Sequence, residues 1–259
     1  MAKYVLGHSD IGVLANYTGG NWKVGLGLEL FNRTLLTATS KTVDLSELIL
    51  DVTLNSSQDI EVLGICNHNI STLGTYQWEC FSDSGRTISV YDSGPITPYA
   101  YHESIPHKTT CDTLDTPITN VYWRLTINDT NADGYIKIGR LFIGKRFHST
   151  CNMDYGLKHG VDTGKTIVET STAGVEAFVQ SIRSRSALFT HSLGLRAQGN
   201  EFYDMQYGSG ISENFLYEFD PDEKNKGLHT FMARNESISP LDYPNSNINS
   251  MAFSLKEVL

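Results

Sequence analysis

No stretch of this sequence stays apolar for anything near the ~20 residues that a bilayer-spanning helix requires, which excludes a helical membrane protein and predicts no membrane insertion. The opening MAKYVLGHSDIGVLANYTGG lacks a long apolar core and a convincing cleavage site, so the expected origin is a cytoplasm, with a mature chain starting near Met1. Cysteine is scarce. Cys66, Cys80, Cys111 and Cys151 stand far apart with no Cys-x-x-Cys pair, which argues against a metal centre and, in a cytoplasm, against disulfides; they read as small reduced thiols. Runs of lysine and arginine are also missing. With 20 Lys+Arg against 29 Asp+Glu the net charge is −9, and nothing in the order of residues suggests a phosphate-binding surface, so nucleic acid is not an expected partner.

Catalytic signatures are equally thin. There is no Gly-x-Ser-x-Gly and no His-Glu-x-x-His. HGVDTGKT (159–166) resembles a P-loop but leaves three residues, not four, between Gly160 and Gly164, and no apolar strand leads into it; it reads as a turn. His8, Ser9 and Asp10 are adjacent, whereas a catalytic triad is assembled in space from separated residues. Cys66 and His68 could share a strand face, but no further ligands stand out beside them. Glycosidase carboxylates come from distant strands, and no pair is singled out. The expectation is a protein that is not an enzyme, has no cofactor, and has no deep cleft lined by buried titrating side chains.

What the sequence has in abundance is strand and turn. VYWRLTIN alternates, with Val121, Trp123, Leu125 and Ile127 on one side and Tyr122, Arg124, Thr126 and Asn128 on the other. The turn-rich NDTNADG follows, and YIKIGRLFIG returns, which predicts a hairpin. In the returning strand Ile136 and Ile138 are out of step with Leu141 and Ile143, and a β-bulge at Gly139-Arg140 would let both pairs face one core. Segments 46–54, 59–69, 75–83 and 87–94 are further short strand-like runs, and PITPYAYHESIPHKTTCDTLDTP reads as a surface loop. The predicted class is mainly β. An antiparallel sandwich of jelly-roll type spans 31–147, and a second β-rich domain with one or two short helices spans 148–259. Residues 1–30 form an arm packing with the C-terminal domain. Residues 193–208 are the helix candidate, with Leu195, Phe202 and Met205 on one face. The terminal NSMAFSLKEVL alternates Met251, Phe253 and Leu255 against Ala252, Ser254 and Lys256, as a strand does.

Two candidate sites emerge. Asp129, Asn131, Asp133 and Gly134 match the first half of a calcium loop, but Arg140 occupies the twelfth position, where a carboxylate is needed; turn chemistry explains the same residues. Tyr76, Trp78, Tyr91, Tyr99 and Tyr101 could build a sugar-stacking surface or simply pack.

VLGICNHNIS, VYDSG, VYWRLTINDTNADGYIKIGRLFIGKRF, CNMDYGLKHGVDTGKT and the segment from LYEFDPDEK to MAFSLKEVL together resemble a family of bacteriophage tail-associated proteins, from about residue 31 onward. The resemblance implies a structural protein of the virion, assembled in the host bacterial cytoplasm, with a galactose-binding-like (discoidin-like) jelly roll. By analogy with distal tail proteins it implies a baseplate ring, with a hexamer of the chain itself meeting tail tube, hub and fibre proteins. It brings no catalytic residues. A carbohydrate-binding module touching host-surface glycan is the alternative.

Overall fold

In the computed structural model, the described residues are 4–32, 36–102, 105, 107–149, 152–163, 167–170, 172–174, 176–179, 182–220, 226–245 and 247–259. In chain order the strands of the first part are β1 (Val5–His8), β2 (Asn16–Gly19), β3 (Ser40–Lys41), β4 (Leu48–Thr53), β5 (Asp59–His68), β6 (Thr75–Phe81), β7 (Ser89–Asp92), β8 (Lys108–Thr109), β9 (Asp112–Thr119), β10 (Tyr122–Asn128), β11 (Lys137–Ile138) and β12 (Arg140–Arg146). There follow β13 (Lys158–Asp162), β14 (Ile167–Thr170), β15 (Glu176–Val179), β16 (Ser184–Leu195), α1 (Arg196–Ser209), β17 (Asn214–Glu218), α2 (Lys226–His229), β18 (Thr230–Ser237), β19 (Asp242–Asn245) and β20 (Ile248–Glu257). The chain divides into two units. One comprises residues through His148 together with Asn214–Met232; the other comprises Ser149–Glu213 and Ala233–Leu259. The arm expected over 1–30 therefore lies in the same unit as the sandwich: β1 pairs with β12 on one edge and with β17 on the other, and β2 pairs with β4.

The first unit is an antiparallel sandwich. One sheet runs β2-β4-β10-β6-β7; the opposing strands run β17-β1-β12-β5, with β8 and β9 sharing the outer edge of β5. The chain crosses between sheets at most connections, from β4 to β5, β5 to β6, β9 to β10 and β10 to β12, which is the jelly-roll habit. The alternation in β10 is realised: Trp123, Leu125 and Ile127 are buried against Leu48, Leu50, Val52, Trp78, Leu63 and Ile65. At about 25 cal/mol per Å² of apolar area, each wholly buried tryptophan contributes on the order of 5 kcal/mol, so Trp78 and Trp123 anchor the core.

Three expectations change here. VYWRLTIN and YIKIGRLFIG are not a hairpin, because β10 bonds to β4 and β6 in one sheet while β12 bonds to β5 and β1 in the other; the turn-rich 129–134 is a corner between layers. The parity slip is a change of sheet: β11 pairs with β3, β12 with β5, and Gly139 alone separates them. Ile136, Ile138, Leu141 and Ile143 all reach one core, as expected. Finally, 112–119 is strand rather than loop, and Pro117 is tolerated because β9 lies on an edge and pairs only with β5.

In the second unit β16 pairs with β13 and β20, and β20 also pairs with β18 and β19. β14 and β15 form a separate ribbon. β20 buries Met251, Phe253 and Leu255, the side chains its alternation selects. Phe253 stacks on Phe189 (4.8 Å) and meets Phe202 of α1 edge-on (5.0 Å). α1 begins three residues later than expected, because 193–195 complete β16; Leu195 is 56% exposed, while Phe202 and Met205 are buried as predicted.

Candidate functional site

The first unit carries a cleft of about 540 Å³, lined by Tyr91, Ser93, Ile96, Thr97 and Tyr99, by Cys111, Asp112 and Thr113, and by Glu218 and Lys226. Its first wall extends the β7 edge. Ser93 exchanges hydrogen bonds with Trp78 through backbone and hydroxyl, and Ile96 bridges Tyr76 in both directions. Gly94, at φ +63°, supplies the turn between these two contacts. The second wall is the start of β9, and the floor comes from the end of β17 and the first residue of α2.

Two acids sit in this cleft. Tyr76 donates its hydroxyl proton to Asp112 Oδ1 at 2.9 Å, yet burial, with Glu218 nearby, pushes the Asp112 carboxyl up to about 7. Glu218 is 1% exposed, and burial raises its carboxyl as well. The Tyr99 hydroxyl lies 2.5 Å from the Cys111 carbonyl oxygen and 2.8 Å from Glu218 Oε1, and its one proton serves one of these two acceptors at a time. The Lys226 ammonium stands 5.5 Å from the Tyr99 ring and pulls both acids the other way. Burial raises the Cys111 thiol well above its usual range, which favours the protonated thiol over the thiolate. A cleft with buried titrating side chains is thus present where none was expected.

The sign of the pH effect follows. An acid with a raised pKa in the fold penalises folding as pH climbs from the unfolded value near 3.8 through about 7, because the folded state must keep or give up a proton the unfolded chain has already lost. Asp112→Asn keeps the shape and removes the charge. We expect it to raise the thermal midpoint of the first unit at pH 8 by several degrees and to change it little at pH 4, measured by calorimetry at both pH values.

The calcium-loop residues meet, but around each other. Asp129 accepts from Ser71 N (3.0 Å), Ser71 Oγ (2.5 Å), Thr130 N (2.8 Å) and Asn131 Nδ2 (2.8 Å). Asn131 therefore turns a donor towards Asp129, and its oxygen accepts from Asp133 N; Asp133 Oδ2 accepts from Asn69 Nδ2. Both Asp129 oxygens, Asn131 Oδ1 and Asp133 Oδ2 thus accept from protein N–H and O–H groups, the bonding that turns use. Among the described residues no group of three or more His, Cys, Asp or Glu is disposed to hold a metal ion. Arg140, at the twelfth position, is buried in an ion pair with Asp10 at 2.6 Å.

That pair also dissolves the His8-Ser9-Asp10 set. His8 Nδ1 meets Ser9 Oγ at 2.8 Å, while Asp10 is committed to Arg140, Gly12 N and Ile143 N. Cys66 and His68 lose their shared face to a register shift between them, with Asn67 at φ +53°. His68 Nδ1 accepts from Ile70 N at 3.1 Å, so Nε2 carries the proton toward Tyr101 Oη at 3.2 Å; burial pushes the imidazole down to about 3 and keeps it neutral. In HGVDTGKT, 158–162 is strand and 164–166 lie outside the described residues, as does Cys151. The aromatic set divides: Tyr76 and Trp78 are core, Tyr91 and Tyr99 line the cleft, and Tyr101 packs 6.2 Å from Tyr99. Asp112, Glu218 and Lys226 were not singled out in the sequence, and no local pattern marks them.

No family model and no curated protein matches the sequence. Among solved structures the chain is similar to the family 32 CBM from C. perfringens NanJ in complex with galactose, with TM-score 0.41 and 15% identity over 54% of this chain and 99% of that one. It is similar to chitosan-binding module 1 of a chitosanase/glucanase from Paenibacillus sp. IK-5, with TM-score 0.40 and 15% identity over 53% and 100%. The Streptococcus pneumoniae fucose binding module SpX-3 gives TM-score 0.40 and 12% identity over 53% and 98%. These neighbours are carbohydrate-binding modules.

Proposed function

We propose that the first unit is a non-catalytic saccharide-binding module and that the cleft beside Tyr91 and Tyr99 is its binding site. The composition of the cleft carries this reading. Phenol rings offer flat apolar faces to a sugar ring, while Asp112, Glu218, Lys226, Ser93 and the two threonines offer donors and acceptors to its hydroxyls. Burial favours the protonated form of both acids, and in that form a carboxyl donates through one oxygen and accepts through the other. Tyr91 is half-buried on the β7 edge and packs beside Trp123, so Tyr91→Ala should keep the fold at some cost in thermal midpoint, and binding is read well below that midpoint. In calorimetric titrations of the whole chain with neutral mono- and oligosaccharides, it should weaken binding about tenfold or more, equivalent to losing an aromatic contact of roughly 1.4 kcal/mol. A panel in which no saccharide binds at millimolar concentration would remove the proposal. Release of reducing ends that stops in Asp112→Asn would replace it with glycan hydrolysis.

A second reading, a structural subunit of a bacteriophage tail tip or baseplate, is supported by the segment resemblances from residue 31 onward. It is compatible with the first, since a ring subunit can carry a glycan-binding sandwich. Closed rings are built from heterologous contacts between copies. Light scattering of the purified chain at a hexameric mass supports this reading, and a monomer at high concentration counts against it.

A further inference from the structure

Four lysines that are scattered in sequence become neighbours in the first unit. Lys23 N donates to Lys41 O at 2.9 Å; Lys41 stands opposite Lys137 in the β3–β11 ribbon; Lys137 O accepts from Asn69 N; and Lys108 stands opposite His68. Adjoining segments lie ~4.8 Å apart, so the backbone positions of Lys23, Lys41 and Lys137 span about 10 Å. Both Lys23 and Lys41 lie over the single Tyr135 ring, at 4.4 and 5.5 Å, and Lys108 lies 5.8 Å from Tyr101. All four are half-buried, and none forms an ion pair among the described residues. Like charges directly opposite in an antiparallel pair are destabilising. Lys137 registers this: burial, then Lys41 and Lys108, lower its proton affinity, and Asp133 opposes them. A chain of net charge −9 thus gathers four lysines, none of them ion-paired among the described residues, around one short ribbon.

We infer that this lysine ladder binds a linear glycan carrying an anionic group on each repeat, carboxylate or phosphate. The choice of polymer class rests on the saccharide-binding reading above, while the anion site rests on the ladder itself. A row of cations suits a row of anions, and the Tyr135 and Tyr101 rings hold the lysines in that row through cation–π contacts. The acidic remainder of the surface repels a polyanion, so binding stays local to the ribbon.

The test titrates the whole chain with polygalacturonate, with a glycerol-phosphate polymer and with neutral dextran, at low and high salt. At least one acidic polymer should bind, with an affinity that falls steeply with salt, and which one binds distinguishes carboxylate from phosphate. The double variant Lys41→Gln, Lys137→Gln should bind about tenfold more weakly and with a salt slope lower by about two. Its thermal midpoint should hold or rise, because a repulsion is relieved; lysines kept for structure would lower it. Tyr91→Ala should leave acidic-polymer binding unchanged even where it abolishes neutral-sugar binding. Absence of acidic-polymer binding at low salt, parent-like binding by the double variant, or loss of acidic-polymer binding in Tyr91→Ala overturns the ladder while leaving the cleft untouched. Tighter binding of a single-stranded oligonucleotide than of either polymer overturns the choice of a glycan.

Discussion

Asp10→Ala should destabilise the first unit by about 3–5 kcal/mol, the range found when one member of a buried ion pair is removed. The side chains of Arg140 and Asp10 are 2% and 1% exposed, and the carboxylate holds Arg140 through Nη2 at 2.6 Å and Nε at 2.9 Å. The same carboxylate accepts from the backbone of Gly12 and Ile143. Truncation therefore strands a guanidinium and two amides at once, in an interior that water does not reach. At roughly 2–4 °C per kcal/mol for a domain of this size, the thermal midpoint should fall by about 6–20 °C. The double replacement Asp10→Leu, Arg140→Met should recover most of the loss, because it removes the orphaned charge as well as its partner, and Arg140 Nη1 is already buried without a hydrogen bond among the described residues. An unfolding free energy for Asp10→Ala, from urea titration, within about 1 kcal/mol of the parent would show that the pair is not buried as described.

Gly139→Val should abolish folding of the same unit, and Gly139→Ala should cost about 1–3 kcal/mol through overpacking. A Cβ at this position meets Leu36 O at 2.7 Å, Asn67 Cβ at 2.9 Å and Cys66 O at 3.1 Å. None of these atoms can swing away: two are backbone carbonyls, and the Asn67 side chain is fixed by the hydrogen bond its Nδ2 donates to Leu36 O. The Gly139 N–H is itself shared between Cys66 O and Asn67 O, so the strand cannot back off without losing both. Gly134 is the control. It needs its positive φ of +74° but has open space around it, so Gly134→Ala should cost only about 1 kcal/mol. Soluble expression and chemical denaturation of the three variants separate the cases; equal effects at 139 and 134 would refute the close approach.

The contrast shows where sequence reasoning reaches and where it stops. The irregularity at Gly139 was visible because Ile136 and Ile138 fall out of step with Leu141 and Ile143. Its cause was not visible, because two strands that follow one another through a turn look alike whether they pair or part to different layers. The alternation of β10 and β20 translated directly into burial, since period-two patterning is local. α1 was displaced at its start because residues 193–195 suit a strand as well as a helix. The cleft was illegible: Tyr99 and Glu218 touch only because β17 is carried back to this unit by the fold. The lysine ladder was illegible for the same reason, since no two of Lys23, Lys41, Lys108 and Lys137 are near each other in sequence.

The pairing of β1 with β17, with Val5 opposite Glu218, also governs the order of events during synthesis. The first unit cannot finish its sheet when residue 148 emerges from the ribosome; it must wait, with the outer edge of β1 unsatisfied, until the whole of 149–213 has been made and 214–218 arrives. Loop closure over so long a span is entropically slow, and an open strand edge invites pairing with another nascent chain. A ribosome-stalled fragment ending before residue 214 is therefore the form of this protein most in need of a chaperone.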